Sequence, residues 1–312
     1  NIRPESRFVM KTEIAREILQ LKEQKNAVIL AHYYAPAAVQ EIADFVGDSF
    51  YLAKMAKTST ADIIVFCGVN FMGESAKLLN PGKKVLMPDL TADCPMAHMV
   101  APGKIEEMRR RYEDLAVVCY INSTAELKAK SDVCVTSSNA ISIVKSLPNQ
   151  NIFFIPDKNL GSFVARMVPE KNIILNDGCC PVHAAITAKE VMEEKRNHPS
   201  ALVLAHPECE PEILALSDYI GSTSGIISYA SENDCEEFII CTEDGVEAKL
   251  AADHPGKKFY FPQNRPCCID MKRNTLEKLL HVLRTEDNEV TENEELRESA
   301  IIPLERMLEL GR

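Results

Sequence analysis

Val28-Ile29-Leu30-Ala31-His32-Tyr33-Tyr34 is an apolar run closed by polar ring side chains, and the chain carries this pattern three times. Ala116-Val117-Val118-Cys119-Tyr120-Ile121-Asn122 and Leu202-Val203-Leu204-Ala205-His206-Pro207-Glu208 repeat it, with His32, Tyr120 and His206 in register at spacings of 88 and 86 residues. A second motif keeps the same period. Asp44-Phe45-Val46-Gly47-Asp48-Ser49, Asp132-Val133-Cys134-Val135-Thr136-Ser137 and Asp218-Tyr219-Ile220-Gly221-Ser222 align, their final serines 88 and 85 residues apart. Cysteines form a third landmark: Cys94 in Asp93-Cys94-Pro95-Met96, Cys180 in Cys179-Cys180-Pro181-Val182 and Cys268 in Pro266-Cys267-Cys268-Ile269, spaced by 86 and 88. Three landmarks at one period indicate a triplicated architecture, which takes precedence over any local reading.

Within each repeat, strands alternate with helices. The first is expected to run from an amphipathic helix near Lys11–Gln24 to strands at Ala27–Ala31, Ile63–Phe66 and Lys84–Pro88. Helices are expected around Val39–Val46 (or a shorter helix broken by a strand), Tyr51–Lys57 and Met72–Leu79, the last stopped by Asn80-Pro81-Gly82. Strands follow near Ala116, Val133, Ile152 and Ile173, and again near Leu202, Tyr219, Phe238 and Lys258. Strands that are apolar on both faces and separated by helices predict parallel sheets. The expected fold is therefore α/β: three pseudo-threefold-related, three-layer αβα lobes with small parallel sheets around a central active site. Lobe one spans residues 1–97, lobe two 98–184 and lobe three 185–271. Two tail helices, Thr275–Arg284 and Glu294–Leu310 within residues 272–312, are expected to pack back on lobe one.

The composition narrows the function classes. A net charge of −11, no tryptophan and no basic stripe argue against a nucleic-acid partner. No apolar run approaches the roughly 18 residues that cross a bilayer, and residues 1–10 contain no apolar signal core, so a cytoplasmic protein without a membrane partner is expected. Eleven cysteines, an odd count, read as reduced thiols rather than a disulfide framework. Cys67, Cys119, Cys134 and Cys241 lie inside apolar runs, as small core residues do.

In open parallel sheets ligands gather beyond the carboxyl ends of the strands. Those ends carry His32 and Tyr34, Tyr120 and Asn122, His206 and Glu208, then Ser49, Ser137 and Ser222, then the cysteines. Structural zinc sites draw four ligands from closely spaced cysteine pairs, whereas here one cysteine per repeat would supply three ligands far apart in sequence. Three cysteines on a [4Fe–4S] cluster leave one iron open as a Lewis acid, an arrangement suited to dehydration more than to electron transfer. Spacing alone does not separate Cys179 from Cys180, or Cys267 from Cys268. Serine and threonine hydroxyls at helix starts suit carboxylate and phosphate ligands. Glu208 could take a proton, Tyr34 could move one to or from a leaving hydroxyl, and His206 and His32 could hold carboxylates or shuttle protons.

Across nearly its whole length the sequence resembles the quinolinate synthase family. The matching segments include Ala31-His32-Tyr33-Tyr34, Ile42-Ala43-Asp44-Phe45-Val46-Gly47-Asp48-Ser49, Gly68-Val69-Asn70-Phe71-Met72, Cys94-Pro95-Met96-Ala97 and Tyr120-Ile121-Asn122-Ser123-Thr124. They continue with Cys180-Pro181-Val182-His183, His206-Pro207-Glu208-Cys209, Gly221-Ser222-Thr223 and Met271-Lys272-Arg273-Asn274-Thr275-Leu276. The resemblance implies a [4Fe–4S] cluster on Cys94, Cys180 and Cys268. It also implies a substrate site that includes His32, Tyr34, Ser49, Tyr120, Asn122, Ser137, His206, Glu208, Ser222 and Thr223. The implied reaction condenses iminoaspartate with dihydroxyacetone phosphate to quinolinate for NAD biosynthesis, releasing phosphate and two waters, with iminoaspartate supplied by an aspartate-oxidising enzyme. Tyr33 departs from the family, many of whose members carry Asn there, and the late oxidisable Cys-x-x-Cys of some members is absent. Two alternatives are an aconitase-like iron–sulfur hydro-lyase, which turnover of hydroxy-acids would distinguish, and a non-catalytic iron–sulfur redox or sensor protein, which would not need polar residues at every strand end.

Overall fold

The computed structural model describes residues 4–311, in which three four-stranded parallel sheets are built on one plan. The first repeat runs α1 (Pro4–Gln24), β1 (Ala27–His32), α2 (Ala37–Gln40), β2 (Phe45–Gly47), α3 (Ser49–Thr58), β3 (Ile63–Cys67), α4 (Asn70–Leu79) and β4 (Lys84–Leu86). The second comprises α5 (Lys104–Arg111), β5 (Leu115–Tyr120), α6 (Ala125–Ala129), β6 (Val133–Val135), α7 (Ala140–Ser146), β7 (Asn151–Ile155), α8 (Lys158–Met167) and β8 (Asn172–Leu175). In the third, α9 (Pro181–Ala184) and α10 (Ala188–Asn197) lead to β9 (Leu202–Ala205), α11 (Pro211–Ala215), β10 (Tyr219–Ile220), α12 (Thr223–Glu232), β11 (Glu237–Cys241), α13 (Val246–Asp253) and β12 (Lys258–Tyr260). The tail consists of α14 (Leu276–Thr285) and α15 (Glu294–Leu310).

Each sheet has the strand order second, first, third, fourth. The register follows the sequence period: Leu30 pairs with Phe45, Val118 with Val133 and Leu204 with Tyr219. One aspartate per repeat fixes that register. Asp44, Asp132 and Asp218 accept the backbone N–H of Ile29, Val117 and Val203 at 2.8, 2.7 and 2.8 Å, while their own N–H groups donate back to the same three residues' carbonyls. Lysines at the same period close a helix in each repeat. Lys171 donates to the Leu147 and Asn149 carbonyls at 2.6 and 2.8 Å, Lys257 to those of Ala230 and Asn233 at 2.7 and 2.6 Å, and Lys83 to Ser59. A cation on the terminal carbonyls satisfies orphan acceptors and offsets the helix dipole.

The chain divides into two compact units, residues 4–93 with Ile269–Asn293, and Cys94–Cys268 with residues 294–311. In the first, Ile18 of α1, Ile29 and Ala31 of β1, Val65 and Cys67 of β3, and Leu276, Leu279 and Leu283 of α14 form one buried cluster. The second holds the other two sheets, with a core in the third repeat around Val191, Val203, Ala205, Ile213 and Ile239.

One expectation is decided and one revised. Of the two readings for Val39–Val46 the shorter helix broken by a strand holds, with the helix at Ala37–Gln40 and the strand at Phe45–Gly47; Gln40 closes that turn by donating to the Tyr33 and Ala35 carbonyls. Of the tail helices, α14 packs on α1 of the first repeat, whereas α15 lies on α6, β6 and α7 of the second. Its buried Ala300, Pro303, Leu304 and Met307 cover the side of the edge strand β6, which the five-residue α6 leaves bare. Among the described residues, no helix is long and apolar enough to cross a membrane.

Candidate active site

The ends of β1 and β9 form the same small turn. The backbone N–H of Tyr34 donates to His32 Nδ1 at 3.1 Å, and that of Glu208 donates to His206 Nδ1 at 3.3 Å. A ring nitrogen that accepts an N–H carries no proton, so the remaining proton of each neutral imidazole sits on Nε2. In His206 that Nε2–H donates to Ser137 Oγ at 3.1 Å, joining the second and third repeats. Burial pushes the His206 pKa down to about 3, against the pull of the Glu208 charge, and the nearby His183 lowers it further. His206 is therefore a neutral hydrogen-bond donor at physiological pH.

Glu208 is 3 % exposed. Its Oε2 lies 2.7 Å from His183 Nδ1 and 3.6 Å from His206 Nδ1, while Oε1, also buried, has no hydrogen-bond partner among the described residues. Burial raises the carboxyl's pKa, but His183 foremost, with a hydrogen bond from the Tyr120 phenol, outweighs it and lowers it below the ordinary carboxylate range. The group is a buried carboxylate with one oxygen uncommitted. Asn122 Oδ1, two residues beyond Tyr120, is likewise buried without a partner.

Cys94, Cys180 and Cys268 are half-buried and belong to one unit. Burial, then the charges of Glu208 and Cys268, pushes the Cys94 thiol up to about 12. Cys180 is raised by burial, Glu208 and Cys94 in the same way. Cys94 thus lies within electrostatic reach of both Cys180 and Cys268, and the negative charge gathered here opposes thiolate formation unless a cationic partner is bound. A soft, three-sulfur donor set fits an iron–sulfur group. Cys180 Sγ, His183 Nδ1 and a Glu208 oxygen also lie within 4.8 Å of one another, a grouping able to hold a metal ion.

Two buried carboxylates position the cysteine backbones. Asp157 accepts the N–H of Cys180 at 3.0 Å and that of Leu160 at 2.7 Å. Glu243 accepts those of Cys268 and Gly245 at 3.0 and 2.7 Å. Both are fully buried, and burial with the Glu208 charge raises Asp157 to about 8. They occupy equivalent places one period apart, a signal the repeat alignment contained but that sequence reading missed. It also missed His183, which lies 3.2 Å from Cys180 Sγ.

The remaining candidates sit at corresponding chain positions. Ser222 caps α12 by accepting the Gly225 N–H at 3.1 Å, and Thr223 beside it is buried. In the first unit His32 is buried, Tyr34 stands edge-on to it with ring centroids 4.5 Å apart, and Lys272 donates to the Tyr34 carbonyl at 2.9 Å. Ser49 opens α3, but Asp48, not Ser49, is the cap, accepting the Tyr51 N–H at 2.9 Å. Cys267, next to Cys268, is exposed.

The chain is 55 % identical over 294 residues to the quinolinate synthase of Fusobacterium nucleatum, covering 94 % of this chain and 98 % of that relative. It is 51 % identical over 299 residues to the quinolinate synthase of Caldicellulosiruptor saccharolyticus, covering 96 % and 99 %. With that of Aquifex aeolicus the identity is 47 % over 304 residues, covering 96 % and 94 %. The family model described as Quinolinate synthetase A protein matches residues 16–309, and the chain belongs to that family.

Proposed function

We propose that this protein is a quinolinate synthase that condenses iminoaspartate with dihydroxyacetone phosphate to quinolinate, releasing phosphate and two waters, in NAD biosynthesis. The observation that carries the site assignment is the Glu208 carboxylate: buried, with Oε1 uncommitted, and beside Cys94 and Cys180. Ring formation from these substrates requires removal of protons from carbon and nitrogen, and Glu208 is the base for that removal. His206 offers its Nε2–H to a developing oxyanion, with Ser137 as its resting partner. Tyr34 moves a proton to a departing hydroxyl. His32, Ser49, Tyr120, Asn122, Ser137, Ser222 and Thr223 bind the carboxylate and phosphate groups.

Cys94, Cys180 and Cys268 would hold a [4Fe–4S] cluster, which supplies an open iron as Lewis acid to a substrate oxygen or nitrogen. Asp157 and Glu243, by fixing the Cys180 and Cys268 backbones, preset two of the three sulfur positions. Such thiols suit the reducing cytoplasm, and an aspartate-oxidising enzyme would supply the unstable imine. The test is anaerobic reconstitution with iron and sulfide, followed by a quinolinate assay on wild type and Glu208→Gln. Quinolinate formation by wild type, with a loss of about 10²–10⁴ in Glu208→Gln at full iron content, is expected. No quinolinate from the reconstituted protein overturns the reading.

A further inference from the structure

We infer that His183, anchored by Thr242, is a positioning residue that selects which oxygen of Glu208 reacts; this rests on the assignment of Glu208 as the base. His183 follows Cys180 by three residues in α9 and is 1 % exposed. Its Nε2 lies 3.0 Å from Oγ1 of Thr242, itself fully buried, directly after β11. Its Nδ1 lies 2.7 Å from Glu208 Oε2 and 3.2 Å from Cys180 Sγ. An ionised carboxylate can only accept, so the proton between them is on Nδ1, and in the neutral ring Nε2 then takes the Thr242 hydroxyl proton. The ring also stacks on His206, with centroids 4.7 Å apart and planes 28° from parallel.

These contacts remove the freedom of a carboxylate to turn about its terminal bond. One oxygen is engaged by a donor whose far side is pinned in the core. The other, Oε1, is left without a partner and is the atom available to take a proton. A base free to rotate would exchange its two oxygens and spend part of its time hydrogen-bonded uselessly. Loss of orientation at a reacting group lowers the chemical rate without lowering affinity, by about 10² for a misplacement near 1 Å.

Two isosteres separate positioning from packing. In His183→Asn the side-chain amide N–H₂ can occupy the place of Nδ1–H, whereas in His183→Gln it falls near Nε2 and the donor to Glu208 is lost. With reconstituted enzyme, His183→Gln should lose about 10² in kcat, with KM, quinolinate affinity, and bound iron and sulfide each changed less than about threefold. His183→Asn should recover at least about tenfold of that loss, and Thr242→Val should reduce kcat about tenfold. Because His183 acts through Glu208, adding His183→Gln to Glu208→Gln should slow the enzyme no further. Wild-type kcat in His183→Gln, equal losses in the Asn and Gln variants, multiplicative losses in the double variant, or loss of iron from His183→Gln would each overturn the inference. Wild-type kcat in Glu208→Gln would instead remove the assignment of the base on which it rests.

Discussion

Replacing Asp218 with alanine tests whether one carboxylate per repeat sets strand register. β10 has only two residues, and its pairing to β9 consists of few bonds. Asp218 N–H donates to the Val203 carbonyl at 2.8 Å, its carboxylate accepts the Val203 N–H at 2.8 Å, and Gly221 N–H donates to the Ala205 carbonyl at 3.1 Å. Val203 is 2 % exposed, so its N–H loses its acceptor inside the sheet once the carboxylate, which reaches in from the exposed Asp218, is gone. A hydrogen bond to a charged acceptor contributes about 1.5–3 kcal/mol, and leaving a buried donor bare costs about 1–3 kcal/mol. The two descriptions overlap rather than add, giving about 2–3 kcal/mol for local opening, or about 30- to 150-fold faster amide exchange. Asp218→Asn keeps a neutral acceptor and should accelerate exchange only about fivefold, the equivalent of about 1 kcal/mol. Hydrogen–deuterium exchange of peptides covering β9 and β10 reads both numbers. Asp44 and Asp132 carry ion pairs to Lys22 and Arg109 at 2.6 and 2.9 Å. Such exposed pairs add at most about 1 kcal/mol, so Asp44→Ala and Asp132→Ala should fall close to Asp218→Ala. Since Ser222 and Thr223 follow β10 directly, KM should rise several-fold in Asp218→Ala with iron content unchanged. Unaltered exchange in the alanine variant, or equal exchange in the alanine and asparagine variants, would refute the reasoning.

Cys94→Ala, Cys180→Ala and Cys268→Ala should each abolish cluster absorbance and turnover, while Cys67→Ala, Cys119→Ala, Cys241→Ala and Cys267→Ala should keep both; retained iron in Cys268→Ala with loss in Cys267→Ala would move the ligand by one residue. Lys171→Met strips the cation from the Leu147 and Asn149 carbonyls and should lower stability by about 0.5–1.5 kcal/mol, measured by urea denaturation of the anaerobic protein. Hydrogen bonds from Lys25 and Lys84 hold the Glu286 carboxyl near about 2, below its ordinary 4.5. A lowered folded-state pKa stabilises above the unfolded value and is lost as pH falls, so Glu286→Gln should reduce Tm at pH 7, and its difference from wild type should shrink between pH 4.5 and about 2.

The triplication was legible because backbone pairing demands it: strand register is set by which residues lie opposite, and equal spacing in sequence became equal pairing in each sheet. The two readings left open at Val39–Val46 have a specific origin. Val39, Ile42, Ala43 and Val46 recur at helical spacing, yet Val46 also aligns with Cys134 and Ile220 beside the register aspartates, and the long-range signal was the true one. The destination of α15 was not legible. An amphipathic period says that one face will be buried but not which sheet is left bare by a short helix elsewhere.

The candidate site was partly legible for the opposite reason: polar groups differ where the repeats cease to match. At the first strand end the repeats supply His32, Tyr120 and His206, and two residues later Tyr34, Asn122 and Glu208, so the same backbone position carries a phenol, an amide or a carboxylate. After the third strand they supply Val69, Asp157 and Glu243, and only the two acids can hold a cysteine N–H. His183 has Ala97 and Met271 as its counterparts, neither of which can donate to a carboxylate. Searching for residues in register finds the landmarks that repeat, but it passes over a residue whose use lies in having no equivalent. His183 became visible only when folding brought the third-repeat Glu208 within 2.7 Å of it. A triplicated scaffold repeats the same chain positions three times, and divergence at single positions gives Glu208 after β9 and His183 in α9 side chains that their counterparts lack.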